Sequence, residues 1–173
     1  SSRTNESNKL DNTHFSHAAV RRIQAEVMMD AIGQATERPT QVAGYPLGLR
    51  ATQLFQGGYN DAFLKTFGAA SRDTVCACEV KKEPTLSQAL ELINGGYISA
   101  RVTASTVIKS LLAEKRSPEE IISTLYVRCL AREPTEKELK IMRGLVGDAT
   151  ADVAVYNDVF WSLLNSTEFA FNH

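Results

Sequence analysis

SPEEIISTLYVRCLAREPTEKELKIMRGLVG, Ser117 to Gly147, is the stretch whose reading decides the fold. Ser117-Pro118-Glu119-Glu120 is a complete helix start. The serine oxygen accepts from the amide three residues on, proline stands at the first helical position where no amide is needed, and the glutamate reaches back. The body that follows turns Ile121, Ile122, Leu125, Tyr126 and Cys129 to one side. Thr135-Glu136-Lys137-Glu138 is a second start of the same kind, and Leu139, Met142 and Val146 repeat behind it until Gly147 supplies a stop. Two capped helices joined by a short connection predict an antiparallel pair.

Upstream the same grammar recurs at Thr85-Leu86-Ser87-Gln88, which opens a helix through Ala89, Leu90 and Ile93 and closes at Asn94-Gly95. Three reciprocal caps between Thr85 and Glu138 predict an all-α fold, a bundle of about six or seven short helices with two long ordered loops. No fixed register repeats among them, which excludes a solenoid. Residues 97–114 read as one helix through Ile98, Val102, Ile108, Leu111 and Leu112, with a β-branched run that weakens the propensity without reversing it. Residues 148–168 place Val153, Tyr156, Phe160, Leu163 and Leu164 on one face.

Towards the N-terminus, 17–36 reads as a helix capped by Ser16, with Val20, Ile23, Val27 and Ala31 as its apolar stripe and Met28 and Ile32 widening it. Arg22, Glu26 and Asp30 recur every fourth residue, the spacing of an ion-pair ladder along one helix face. Residues 38–58 and 69–84 are the two long loops, the first with a short extended segment at 48–54, and 59–67 is a short helix closed by Gly68. Residues 1–16 form an irregular arm tethered by Leu10 and Phe15, and 17–173 form a single helical domain.

At 173 residues and 43% hydrophobic, the chain is long enough to bury one core without staples. Its 19 basic and 20 acidic residues nearly cancel, and Arg21-Arg22, Lys81-Lys82 and Lys115-Arg116 are scattered pairs, so nucleic acid is not expected as a partner. No apolar run approaches the roughly twenty residues of a membrane span, and SSRTNESNK lacks the features of a signal peptide. The chain is therefore cytosolic or a piece of a longer exported protein. Three cysteines leave at least one thiol outside any intrachain disulfide.

Several blocks together carry a family resemblance. They are Arg21 to Val27 with Asp30-Ala31, Pro46 to Leu54, Phe67-Gly68 with Arg72, Val75-Cys76-Ala77-Cys78-Glu79, Glu83 to Leu90 with Asn94-Gly95, Glu133 to Leu139, and the ending Leu163 to His173. With these blocks the sequence resembles the C-terminal part of the planctomycete-specific domain family, domain of unknown function fifteen-fifty-three. The resemblance implies a module of large exported bacterial proteins, periplasmic or at the cell surface, with other domains of the same chain as partners, among them a cytochrome-like domain. It implies no reaction. It also implies that family members carry a helical segment ahead of Ser1, so that this chain is an excised fragment.

Cys76-x-Cys78, with Glu79 and Glu83 nearby, is the candidate redox or metal site, because two thiolates on a loop can turn towards one soft ion. A zinc site needs four ligands, however, and no second pair follows at finger spacing; nor is there a CxxCH for haem. No cofactor is predicted, and two quiet packed thiols are the favoured reading. Cys129 reads as a small core residue, and Trp161 and Tyr156 as core. His14 and His17 would suit a metal only on a helical turn, and the solvated reading is preferred. Glu26 and Asp30 would serve as an acid–base pair, against which their ladder spacing argues. Arg50 and Arg72 are candidate ligand-binding residues for a carboxylate or sugar acid, but a role cross-linking their loops to helix carbonyls is the favoured reading. No nucleophile elbow, P-loop, dinucleotide fingerprint or HExxH occurs. The leading expectation is thus a scaffold or interaction domain without catalysis of its own. Its rivals are redox or metal chemistry at Cys76 and Cys78 and carbohydrate binding at Arg50 and Arg72.

Overall fold

In the computed structural model both capping boxes close. Ser117 Oγ accepts from the Glu120 amide at 3.3 Å while Glu120 Oε2 accepts from the Ser117 amide at 2.8 Å. Thr135 and Glu138 make the same exchange at 3.3 and 2.8 Å. A cap of this type contributes about 1 kcal/mol to its helix. The structure describes residues 5–11, 16, 21–40, 44–54, 61–68, 88 and 96–172. Among them the helices are α1 (Ala25–Ala35), α2 (Ala62–Thr66), α3 (Gly96–Ala104), α4 (Val107–Ala113), α5 (Pro118–Leu130), α6 (Glu136–Val146), α7 (Val153–Leu164) and α8 (Thr167–Ala170), with a 3-10 turn at Ala51–Gln53. A two-residue antiparallel pair, β1 (Arg21–Arg22) with β2 (Phe171–Asn172), sets Arg21 opposite Asn172 and Arg22 opposite Phe171. The fold is the expected all-α bundle.

Helix α7 is its hub. Asp152 caps it by accepting from the Ala154 amide at 2.8 Å, and Tyr156, Val159, Phe160, Leu163 and Leu164 are all buried along it. It packs against α3, α4, α5, α6 and α8. Each large apolar side chain removed from water in this way stabilises the fold by about 1.5–3 kcal/mol. On the far side, α1 buries Met28, Met29 and Ile32 against α2, α3 and α5. Phe63 of α2 stacks between Phe67 and Tyr97, at ring separations of 4.4 and 4.3 Å.

Several expectations are corrected. The first helix begins at Ala25 with Gln24 ahead of it and no side-chain cap, so Ser16 does not cap it. Pairing with the chain end draws Arg21 and Arg22 into extended backbone, and the Ile23 amide continues that pairing to the Ala170 carbonyl at 3.0 Å. The buried stripe is Ala25, Met28, Met29, Ile32 and Ala35, and Val27 is 43% exposed. The helix read over 97–114 is broken between α3 and α4. Buried Ser105 accepts from the Val107 amide at 3.2 Å, a local bond that competes with the helical ladder where β-branched neighbours already weaken it. The segment at 48–54 is a 3-10 turn entered by extended Arg50, and the closing helix stops at Leu164 before the Ser166-capped α8. Leu10 is exposed and tethers nothing. The Thr85 helix lies outside the described residues, apart from Gln88, which is buried and donates to the Thr66 carbonyl at 3.1 Å. No described helix is long and apolar enough to cross a membrane.

Candidate functional site

Cys76, Cys78, Glu79, Glu83 and Arg72 lie outside the described residues, as do His14 and His17. Arg50 lies within them, and the groove beside it is the candidate site. Helix α1 forms one wall. Its C-terminus turns through Glu37 in left-handed backbone, φ 53°, and the chain folds back over Gly33. A Cβ at Gly33 would stand 3.0 Å from the Arg38 carbonyl oxygen and 3.4 Å from Thr40 Oγ1, so any larger residue would push the returning chain outward by a few tenths of an ångström. The opposite wall is the 3-10 turn. The groove between them encloses about 510 Å³ and is bordered by Asp30, Gln34, Glu37 and Arg50 over an apolar floor that includes Val27 and Leu49.

Most of its charged groups are already engaged. Asp30 accepts from the Ala51 amide at 2.6 Å, the Thr52 amide at 3.2 Å and Thr52 Oγ1 at 3.0 Å. It therefore caps the 3-10 turn from across the groove and fixes Ala51 and Leu54 in the core. Glu37 is ion-paired with Arg128 at 2.5 Å. Arg50 is exposed, and among the described residues its guanidinium makes no ion pair and donates to no helix carbonyl, so the expected cross-link from its loop to a helix is not made there. The groove thus presents a guanidinium and the Gln34 amide beside Val27 and Leu49.

The Arg22–Glu26–Asp30 ladder is also corrected, because Arg22 stands ahead of the helix. Its guanidinium donates to the Phe67 carbonyl at 2.7 Å and lies over the Phe67 ring, and burial draws it below its ordinary pKa. Other arginines perform similar architectural work. Arg101 donates to the Arg38 carbonyl at 2.5 Å, Arg38 donates to the Ala104 carbonyl, and Arg101 sits 4.8 Å over the Tyr97 ring. These bonds tie α3 to the chain leaving α1. Burial also pushes the phenol of Tyr97 up to about 12.

Sequence reasoning missed the densest polar cluster. Arg132 reaches Glu168 at 2.6 and 2.7 Å and Glu138 at 2.9 and 2.8 Å, with its guanidinium 5.5 Å over the Tyr126 ring. It joins the end of α5 to the starts of α6 and α8. Hydrogen bonds from Arg132, then from Thr135, hold the Glu138 carboxyl down at about 2. Glu138 was visible in the sequence as a cap residue, but nothing there linked it to Glu168. Cys129 is half-buried and packs against the core, and burial pushes its thiol up to about 12. Among the described residues, no three His, Cys, Asp or Glu side chains form a group able to hold a metal.

A family model described as "Protein of unknown function (DUF1553)" matches residues 1–146 of this chain. No curated protein and no solved structure shows a significant match.

Proposed function

The chain belongs to the DUF1553 family of proteins of unknown function, and on that premise we propose that it is a helical module of a larger exported bacterial protein, acting as a scaffold or interaction domain without catalysis of its own. The observation that carries this reading is on α6. Ile141 and Leu145, one turn apart, are 54% and 63% exposed, while Leu139, Met142 and Val146 of the same helix pack against the core. Val127 of α5 is a further exposed apolar side chain. Leaving such side chains in water forgoes their burial energy, and an apolar row on a charged helix suits a contact surface. Engagement of the arginines and carboxylates in helix-to-helix ties supports the non-catalytic half of the reading.

The occupant of that surface is another domain of the same longer chain. This accords with the resemblance to the planctomycete-specific domain, whose exported proteins carry neighbouring domains that include cytochrome-like ones. Residues 17–173 then act as one helical domain, the C-terminal part of the larger family domain, behind an arm at 1–16. Hydroxyl-radical footprinting of the 173-residue chain and of the longer protein tests it. Modification of Ile141 and Leu145 is expected to fall several-fold in the longer protein while exposed Leu47 is unchanged. Equal modification in both would remove the contact surface.

A further inference from the structure

A second concavity lies away from α6 and away from the groove at Arg50. It is a cleft of about 330 Å³ between α3 and α7, lined by Ser99, Val102, Thr103, Asn157, Asp158 and Trp161. Helical spacing produces this set: Ser99 and Thr103 are one turn apart on α3, and Asn157 and Trp161 are one turn apart on α7 with Asp158 between them. Val102 is buried at 2% exposure, and Trp161 is half-buried, packed against the core while also lining the cleft.

Thr36, Thr124 and Ser162 return their hydroxyls to carbonyls of their own helices at 2.7 Å; the cleft hydroxyls are instead open to solvent, since Ser99 and Thr103 are both exposed. Ser99 and Thr103 make no such bond, and neither do the side chains of Asn157, Asp158 and Trp161 with any described residue. Two hydroxyls, an amide, a carboxylate and an indole side chain thus line one small solvent-open cleft, where a ligand can take the place of water.

We propose that this cleft binds a neutral pyranose unit. Indole offers an apolar face for the C–H face of a sugar ring, and a carboxylate and an amide side by side accept and donate to adjacent ring hydroxyls. The volume falls at the small end of ligand pockets, about 300 Å³, which suits one sugar ring. Asp158 disfavours an anionic sugar by charge. A quaternary ammonium would use the indole and carboxylate but leave Ser99, Thr103 and Asn157 without partners, so the neutral polyol fits the whole set better.

Trp161 is the only tryptophan in the chain, so all tryptophan emission comes from a wall of this cleft. Titration of the whole chain with glucose, mannose, galactose and N-acetylglucosamine, and with their trisaccharides, is expected to give a saturable emission change for at least one of them. Asp158→Asn retains the exposed surface position and the fluorophore, and is expected to weaken that binding about tenfold, the loss of one charge-assisted hydrogen bond. Asn157→Ala, read by saturation-transfer NMR on the sugar, is expected to weaken it as well. Circular dichroism checks that both variants keep the wild-type helix content. No saturable change with any sugar, saturation by choline chloride alone, or unchanged affinity in Asp158→Asn would each overturn the assignment.

Discussion

Phe160→Ala is expected to lower the stability of the bundle by about 3–5 kcal/mol. Phe160 is fully buried on α7, the helix against which α3, α4, α5, α6 and α8 all pack. Truncation there removes the transfer energy of the ring and leaves a cavity whose walls belong to several helices at once, so the site has little freedom to collapse. Urea unfolding measures the effect as a lower midpoint with an unchanged slope. Leu145→Ala, at a position 63% exposed, is the companion variant and is expected to change stability by no more than about 0.5 kcal/mol. A loss below about 1.5 kcal/mol for Phe160→Ala would show that α7 is not the hub of the core.

Arg132→Gln is expected to cost about 2 kcal/mol at neutral pH, between the values for exposed and buried pairs because its side chain is 34% exposed. The substitution leaves Glu138 and Glu168 facing each other without the cation that both now contact. The pH dependence carries a definite sign. Glu138 is held at about 2 in the fold against an ordinary 4.5, so its contribution is fully present above 4.5 and is lost as the pH falls towards 2. Arg132→Gln should therefore flatten the acid limb of the stability curve in that window, while the Thr135 bonds to Glu138 keep some slope. The gap between wild type and variant should close as the pH falls, because protonation also relieves the new repulsion. Urea midpoints taken from pH 7 to pH 2 measure this, and parallel acid limbs would refute the role given to Arg132.

Parts of this architecture were legible in the sequence because they are local. The Ser117 and Thr135 boxes lie within four residues each, and both close as read. Long-range contacts decided the remainder. Arg21 and Arg22 look helical by spacing, but the chain end pairs with them as β2. Asp30 looks like a rung of a ladder, yet it caps a turn twenty-one residues away. Ser105 is an ordinary residue inside a helical pattern until its hydroxyl takes the Val107 amide. At the site level, the two prolines and four glycines of 38–58 put Arg50 on a loop, but not beside a groove against α1. The roles of Arg132 and Glu168, thirty-six residues apart, and the cleft that Ser99, Thr103 and Trp161 line from two helices left no local signature.

Contact without chemistry leaves a simple signature in the three cysteines of the chain. Metal analysis of the native protein, with a thiol count after denaturation, is expected to find three reactive thiols and far less than one metal ion per chain. One metal equivalent, or two missing thiols in a chain that keeps its full helical signal, would contradict the account and shift the function to Cys76 and Cys78.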